Sequence, residues 1–198
     1  MSLIVNRRDL DFVMYEALDL NKILESEHYA DYDRESLDAM MDLCQSLAED
    51  QFLPSAGKLD ANEPKFIDGK VETIPEVKEA IKAYREAGLC TSAYDADIGG
   101  MQLPWMMDQA LNGMFVCANN PIHTYLFLTQ GVANMLNACG SDELKDKYLP
   151  KLVAGEWFGT MCLSETQAGS SLADIRSKAD VLPDGSYKIS GTKMWISG

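Results

Sequence analysis

Apolar positions recur at helical spacing over most of the first 155 residues. Across residues 9–24, Leu10, Phe12, Val13, Ala17, Leu18 and Leu20 follow a loose 3.6-residue repeat and predict a first helix. Asp33 then precedes Leu37, Met40, Met41, Cys44, Leu47 and Ala48, whose i, i+3, i+4, i+7 spacing turns one face of a long helix toward a core. Asp68-Gly69 between short apolar segments reads as a small hairpin or irregular loop. Thr73 and Glu76 have capping-box spacing, Pro75 sits at an early helical position, and Gly88 follows Tyr84 and Ala87, so a further helix is marked at both ends. After a loop containing Gly99-Gly100, Pro104 opens a helical run through Met107, Leu111, Met114 and Phe115, which Asn120-Pro121 interrupts. Residues 122–139 are apolar nearly all round and predict a buried central helix stopped by Gly140. Ser141 caps a charged surface helix that Pro150 ends or bends. At least five helices are therefore expected between Asp9 and Ala154.

Beyond Gly155 the period shortens to about 2. Residues 157–163, 186–190 and 193–197 are strand-like, and Pro183-Asp184-Gly185 supplies a hairpin turn. The expected fold is mainly α: an all-α domain over residues 1–155, followed by the first strands of a β-domain over residues 156–198. Two or three strands make too small a face for a core of their own, so the sequence reads as a fragment cut inside its second domain.

Composition chiefly excludes. The 198 residues carry 31 acidic against 17 basic side chains, a net charge of −14, which argues against a nucleic-acid partner and against docking on anionic membranes. No apolar run approaches the roughly 20 residues of a membrane helix. Asp9 and Asp11 interrupt the N-terminus before an apolar signal region develops, so no secretory signal is expected. The five cysteines, odd in number and without a CxxC pair or interleaved His, read as reduced thiols in a cytoplasmic protein. An apolar share of 46% is enough to bury a core without disulfides.

Candidate chemistry is sparse. His28 reads as a solvated residue and His123 as a hydrogen-bonded core residue, and neither has a metal-ligand partner at helical spacing. No GxGxxG after a strand, P-loop or GxSxG is present. What remains is Met161-Cys162-Leu163-Ser164-Glu165-Thr166-Gln167-Ala168-Gly169-Ser170-Ser171, a strand-like run entering a loop of small and hydroxyl residues. Such a loop lets a flat or phosphorylated ligand approach backbone N–H groups, although composition alone is also that of an ordinary polar turn.

This segment resembles the flavin-binding signature of the acyl-CoA dehydrogenases, Met/Tyr-Cys-Leu/Val-Thr-Glu-Pro-x-Ala-Gly-Ser-Asp. Downstream, Gly191-Thr192-Lys193-Met194-Trp195-Ile196-Ser197 is similar to the family's second signature, Gly-x-Lys-x-Trp/Phe-Ile-Thr/Ser. The resemblance extends over Glu86-Ala87-Gly88-Leu89, Gly99-Gly100, Gly140-Ser141-Asp142-Glu143-Leu144-Lys145 and Tyr148-Leu149-Pro150 to Gly155-Glu156-Trp157, and over residues 119–131 and 155–160 it is strongest to the subgroup that includes 3-methylthiopropionyl-CoA dehydrogenases. It implies FAD as cofactor and an acyl-CoA as substrate. It also implies an electron transfer flavoprotein or another acceptor as partner, and a homodimer or homotetramer.

Carried over by position, Met161, Cys162, Leu163, Ser164, Gly169 and Ser170 would line the isoalloxazine and pyrophosphate, with the Ser164 hydroxyl near the pyrimidine edge. Ser170 would also lie where acyl-CoA approaches the FAD phosphate. Trp195 would pack on the flavin ring, Ile196 would shape the backbone beside it, and Ser197 would offer its hydroxyl near flavin N5. Ser164 and Ser197 keep the hydroxyl of the family's usual threonine, Thr166 replaces a proline, and Ser171 replaces an aspartate. In the family a glutamate base takes the α-proton while the β-hydrogen leaves as hydride. That base comes from a C-terminal helical domain that this sequence lacks, so no catalytic residue is assigned and Glu165 is read as part of the flavin loop. Residues 1–198 alone are expected to be inactive. The alternatives are an oxygen-using relative such as an acyl-CoA oxidase or nitroalkane oxidase, and a non-catalytic helical interaction module.

Overall fold

A computed structural model of the chain describes residues 2–197. Helices come first: α1 (Arg7–Asp11), α2 (Leu20–Leu24), α3 (Arg34–Leu47), α4 (Ala56–Ala61), α5 (Pro75–Glu86), α6 (Trp105–Cys139) and α7 (Asp142–Val153). An antiparallel hairpin, β1 (Lys65–Ile67) with β2 (Lys70–Glu72), separates α4 from α5, and β3 (Lys178–Val181) pairs antiparallel with β4 (Tyr187–Ser190) near the end. The chain is mainly α, and six of these helices begin between Asp9 and Ala154, as the pattern predicts.

Local chemistry sets the helix boundaries. Asp33 caps α3 by accepting the Ser36 N–H at 2.8 Å while the Ser36 hydroxyl accepts the Asp33 N–H at 3.0 Å, which satisfies two donors that a helix start leaves open. Leu37, Met41, Cys44 and Ala48 then fall on the buried face. The α5 start differs from expectation. Ile74 is its N-cap and no side chain caps it, because Thr73 lies one residue too early and the Glu76 carboxylate pairs with Lys58 instead. The first predicted helix is also broken. A wider π-type turn spans Phe12–Ala17, and Asp19 adopts a left-handed backbone (φ 52°) before α2. Phe12, Val13 and Leu18 all face solvent, so no single apolar stripe runs through residues 9–24 to hold one helix together.

Helix α6 bends where Asn120-Pro121 marks it. Asn119 leaves helical geometry (φ −161°, ψ 86°), and its side-chain oxygen accepts the Ile122 N–H at 3.3 Å, capping the second half. Its amide nitrogen donates to the Phe52 carbonyl and the Ser55 hydroxyl, both at 3.2 Å, which pins the bend to the segment after α3. The second half is not buried all round as expected. Ile122, Leu126, Thr129 and Ala133 face inward, whereas Phe127 and Met135 are each 60% exposed, so an apolar composition overstated the burial of a helix with one inner face. Pro150 lies inside α7 without ending it.

The core centres on Phe52, Tyr84 and Phe115, with Phe115 edge-on to both others at centroid distances of 4.9 Å. His123 lies parallel to the Phe115 ring and is 1% exposed. Its Nε2 is 3.0 Å from the Asn112 side-chain oxygen, which also accepts from the Tyr84 hydroxyl at 3.1 Å. Asn112 in turn donates at 3.0 Å to Asp108, whose other oxygen accepts from Ser92. The core reading of His123 holds.

Burial lowers the His123 pKa from 6.5 to about 4. Since the unfolded chain takes up this proton near pH 6.5 and the folded one only near 4, stability falls as pH drops through that window, by about 2 kcal/mol between pH 7 and pH 5. Burial raises the Asp108 pKa, so its contribution has the opposite sign, being full below 3.8 and lost as pH rises through the raised value. Thermal melts of His123→Gln should lose most of the decline between pH 7 and pH 5. A decline equal to that of the parent chain would contradict this assignment.

Candidate functional site

The chain leaves α7 through a left-handed Gly155 (φ 63°) and returns to α6 at Gly159. Gly159 makes that approach possible. Its N–H donates to the Thr129 hydroxyl at 3.0 Å, and a Cβ at Gly159 would stand 2.5 Å from Val132 Cγ2. This seats Gly159 against the second half of α6, just ahead of the Met161–Ser171 run.

The two segments that carry the resemblance meet in space. The Met194 N–H donates to the Ser164 carbonyl at 3.1 Å, the Lys193 ammonium donates to the Leu163 carbonyl at 3.0 Å, and the Thr160 hydroxyl donates to the Ser197 carbonyl. Met161, Cys162 and Leu163 are exposed, and Ser164 is half-buried. Gly169 and Ser170 lie at the outer end of the loop, past a tight turn closed by the Glu165 N–H on the Ala168 carbonyl at 2.8 Å. Trp195 has a left-handed backbone (φ 59°), costly for a bulky residue, and its side chain is 85% exposed. Ile196 and Ser197 follow it at the surface.

Two of the expected strands are absent. Residues 157–163 and 193–197 form no strand among the described residues, because a strand needs a continuous ladder and the Met194–Ser164 bond is followed at once by the left-handed Trp195. The hairpin predicted around Pro183-Asp184-Gly185 is present as β3–β4, paired from Lys178 with Ser190 to Val181 with Tyr187.

Sequence reading places Glu165 in the flavin loop and gives no sign of its burial. It is 6% exposed although it lies in a loop of polar residues. Its carboxylate accepts from the Arg176 N–H at 2.9 Å, the Ser177 N–H at 3.0 Å, the Gln167 side-chain amide at 2.7 Å and the Lys193 ammonium at 2.9 Å. Nothing in the sequence separates it from a solvated loop glutamate, since three of its four donors come from positions 176, 177 and 193.

The arrangement suits a flat ligand with a phosphate tail. A Cβ at Gly169 would meet open space, and the Gly169 and Ser170 N–H groups make no hydrogen bond among the described residues. Exposed backbone donors of this kind bind anions, while the exposed Trp195 indole offers a stacking face. Among the described residues no group of three or more His, Cys, Asp or Glu side chains is placed to hold a metal ion.

Comparison with known proteins decides the family. The model for the acyl-CoA dehydrogenase N-terminal domain matches residues 34–156. The chain belongs to the acyl-CoA dehydrogenase family. A butyryl-CoA dehydrogenase of Syntrophomonas wolfei is 33% identical over 195 residues, covering 96% of this chain and 32% of that protein. A 3-methylmercaptopropionyl-CoA dehydrogenase of Ruegeria pomeroyi is 29% identical over 190 residues, with the same coverage of 96% and 32%. The chain thus spans about a third of the length of these relatives. Among solved structures, an acyl-CoA dehydrogenase from Bacillus anthracis complexed with FAD superposes with a TM-score of 0.68 at 22% identity, over 84% of this chain and 27% of that one. That likeness shows a shared fold over 84% of this chain.

Proposed function

We propose that the whole protein carrying this chain is an FAD-dependent acyl-CoA dehydrogenase, and that the chain divides into a helical domain over residues 1–155 and the opening of a flavin-binding β-domain over residues 156–198. The observation that carries the reading is the meeting of the two signature segments at Ser164 and Met194, with the Trp195 indole exposed at the next position. FAD would supply the hydride acceptor for the β-hydrogen of an acyl thioester. The chain's own residues bind and orient it. Trp195 offers a stacking face, Met161, Cys162, Leu163 and Ile196 line the ring, and the Ser164 and Ser197 hydroxyls reach its polar edge. Donors at that edge stabilise charge that develops as hydride arrives. Gly169 and Ser170 offer backbone N–H groups to the pyrophosphate, with Ser170 also facing the acyl-CoA.

The base that takes the α-proton lies outside residues 1–198 in this reading. Partners are an acyl-CoA, an electron transfer flavoprotein or another acceptor, and further copies of the same protein. The cytoplasm is the proposed compartment, and no helix among the described residues is long and apolar enough to cross a membrane. The test follows reduction of an artificial electron acceptor with short-chain, medium-chain and methylthio acyl-CoAs. The whole protein should turn over at least one of them, and residues 1–198 with added FAD should turn over none. Turnover by the 198-residue chain that survives repurification would place a base inside it and overturn the assignment.

A further inference from the structure

We infer that Glu165 and Lys193 are positioning residues: this ion pair sets the register between the 161–171 loop and the 193–197 segment, and through it the placement of Ser164, Trp195 and Ser197. The inference rests on the flavin reading above for its functional meaning, and on geometry for its content. The Glu165 side chain is 3% exposed and that of Lys193 25%. A carboxylate so enclosed persists only where donors surround it, and all four donors to Glu165 are in place. Lys193 spans both sides of the junction, with one bond to Glu165 and one to the Leu163 carbonyl. It therefore ties the backbone just before Ser164 to the backbone just before Trp195.

The consequence appears at Trp195. Met194 is held to the Ser164 carbonyl, so the chain must turn at the next residue, and it does so through the left-handed backbone that sends the indole outward. Releasing Lys193 frees Met194. Trp195 then relaxes to an ordinary backbone conformation, and its indole leaves the orientation that the Met194–Ser164 bond and the left-handed turn give it. Glu165 touches no ligand in this scheme and acts through Lys193 and Met194.

The experiment uses the whole protein and three variants, Glu165→Gln, Lys193→Met and Lys193→Arg, with two readouts: FAD affinity together with the visible flavin spectrum, and amide hydrogen exchange. Glu165→Gln and Lys193→Met should weaken FAD binding at least about tenfold, shift the flavin band and speed exchange of the Met194 amide, while amides of α3 and α6 exchange as in the parent. Lys193→Arg, which keeps the charge and the reach to both acceptors, should restore affinity and band. Parent-like FAD affinity and spectrum in Glu165→Gln would overturn the inference, as would loss of α3 and α6 protection in step with FAD, since that marks a merely structural role. An equal defect in Lys193→Arg and Lys193→Met would also overturn it. A parent protein that binds no FAD fails the flavin reading itself, and that result is visible before any variant is compared.

Discussion

Gly169→Phe in the whole protein should abolish retention of FAD without lowering thermal stability. The two halves of that expectation have separate causes. A Cβ at Gly169 meets no atom within 4 Å and the backbone there is not left-handed, so a side chain can leave the loop without a clash at its first atom. The same open space is where the pyrophosphate would lie against the Gly169 and Ser170 N–H groups, and a phenyl ring standing there blocks the approach. Trp195→Ala should act more mildly. It removes a stacked aromatic face, on the order of 1 kcal/mol beyond the apolar area it covers, and so weakens FAD binding roughly tenfold. Alanine keeps the Cβ that makes positive φ costly, and the indole it removes is 85% exposed, so the melting temperature should change little. Flavin absorbance after gel filtration, read beside a thermal melt, checks both variants. Full flavin content in Gly169→Phe would mean that the loop does not face the cofactor.

Gly100→Ala is expected to produce the largest loss of stability in the helical body. A Cβ there would stand 1.8 Å from the Tyr94 carbonyl oxygen and 2.6 Å from the Tyr94 Cβ, so the backbone itself must move. The loop cannot yield locally. Gly100 donates to the Asp95 carbonyl at 3.0 Å, Met101 to Thr91 at 3.0 Å, Gln102 to Tyr94 at 2.8 Å and Leu103 to Ser92 at 2.8 Å, while the Tyr32 hydroxyl donates to the Met101 carbonyl. Opening this stitch should cost about 3 kcal/mol, or roughly 6–12 °C in melting temperature for a chain of this size. Gly99→Ala serves as the comparison, because it meets open space and pays only for positive φ, and it should lose clearly less. Equal losses in the two variants would contradict a role for close approach at Gly100.

The helices were legible because their signals are local. A stripe such as Leu37, Met41, Cys44 and Ala48, a cap such as Asp33, or a break such as Asn120-Pro121 is decided by residues within a few positions of one another. Apart from the broken first helix, whose cause is local, the errors arise where the deciding partner lies far along the chain. Thr73 loses its capping role because Glu76 prefers Lys58. The 122–139 helix keeps an exposed side because only one of its faces is covered, Ile122 and Leu126 by the main core and Ala133 by Leu149 and Leu152 of α7. Residues 193–197 have the alternation of a strand, yet Trp195 turns away because Met194 is tied to Ser164, thirty residues earlier. The candidate site was legible through resemblance alone. Composition gives a polar loop at 161–171, and the burial of Glu165 depends on donors at 176, 177 and 193 that no local pattern announces.

The central claim is that the 161–171 loop and Trp195 hold a flavin that accepts hydride from an acyl thioester. Anaerobic addition of acyl-CoA to the purified whole protein tests it most directly, because it reads cofactor, substrate and electron transfer in one spectrum. The account predicts a yellow protein whose visible flavin band bleaches on addition of a short-chain or methylthio acyl-CoA, and fails to bleach on addition of free CoA. A colourless protein, or a flavin band that no acyl-CoA in the panel reduces, would contradict it.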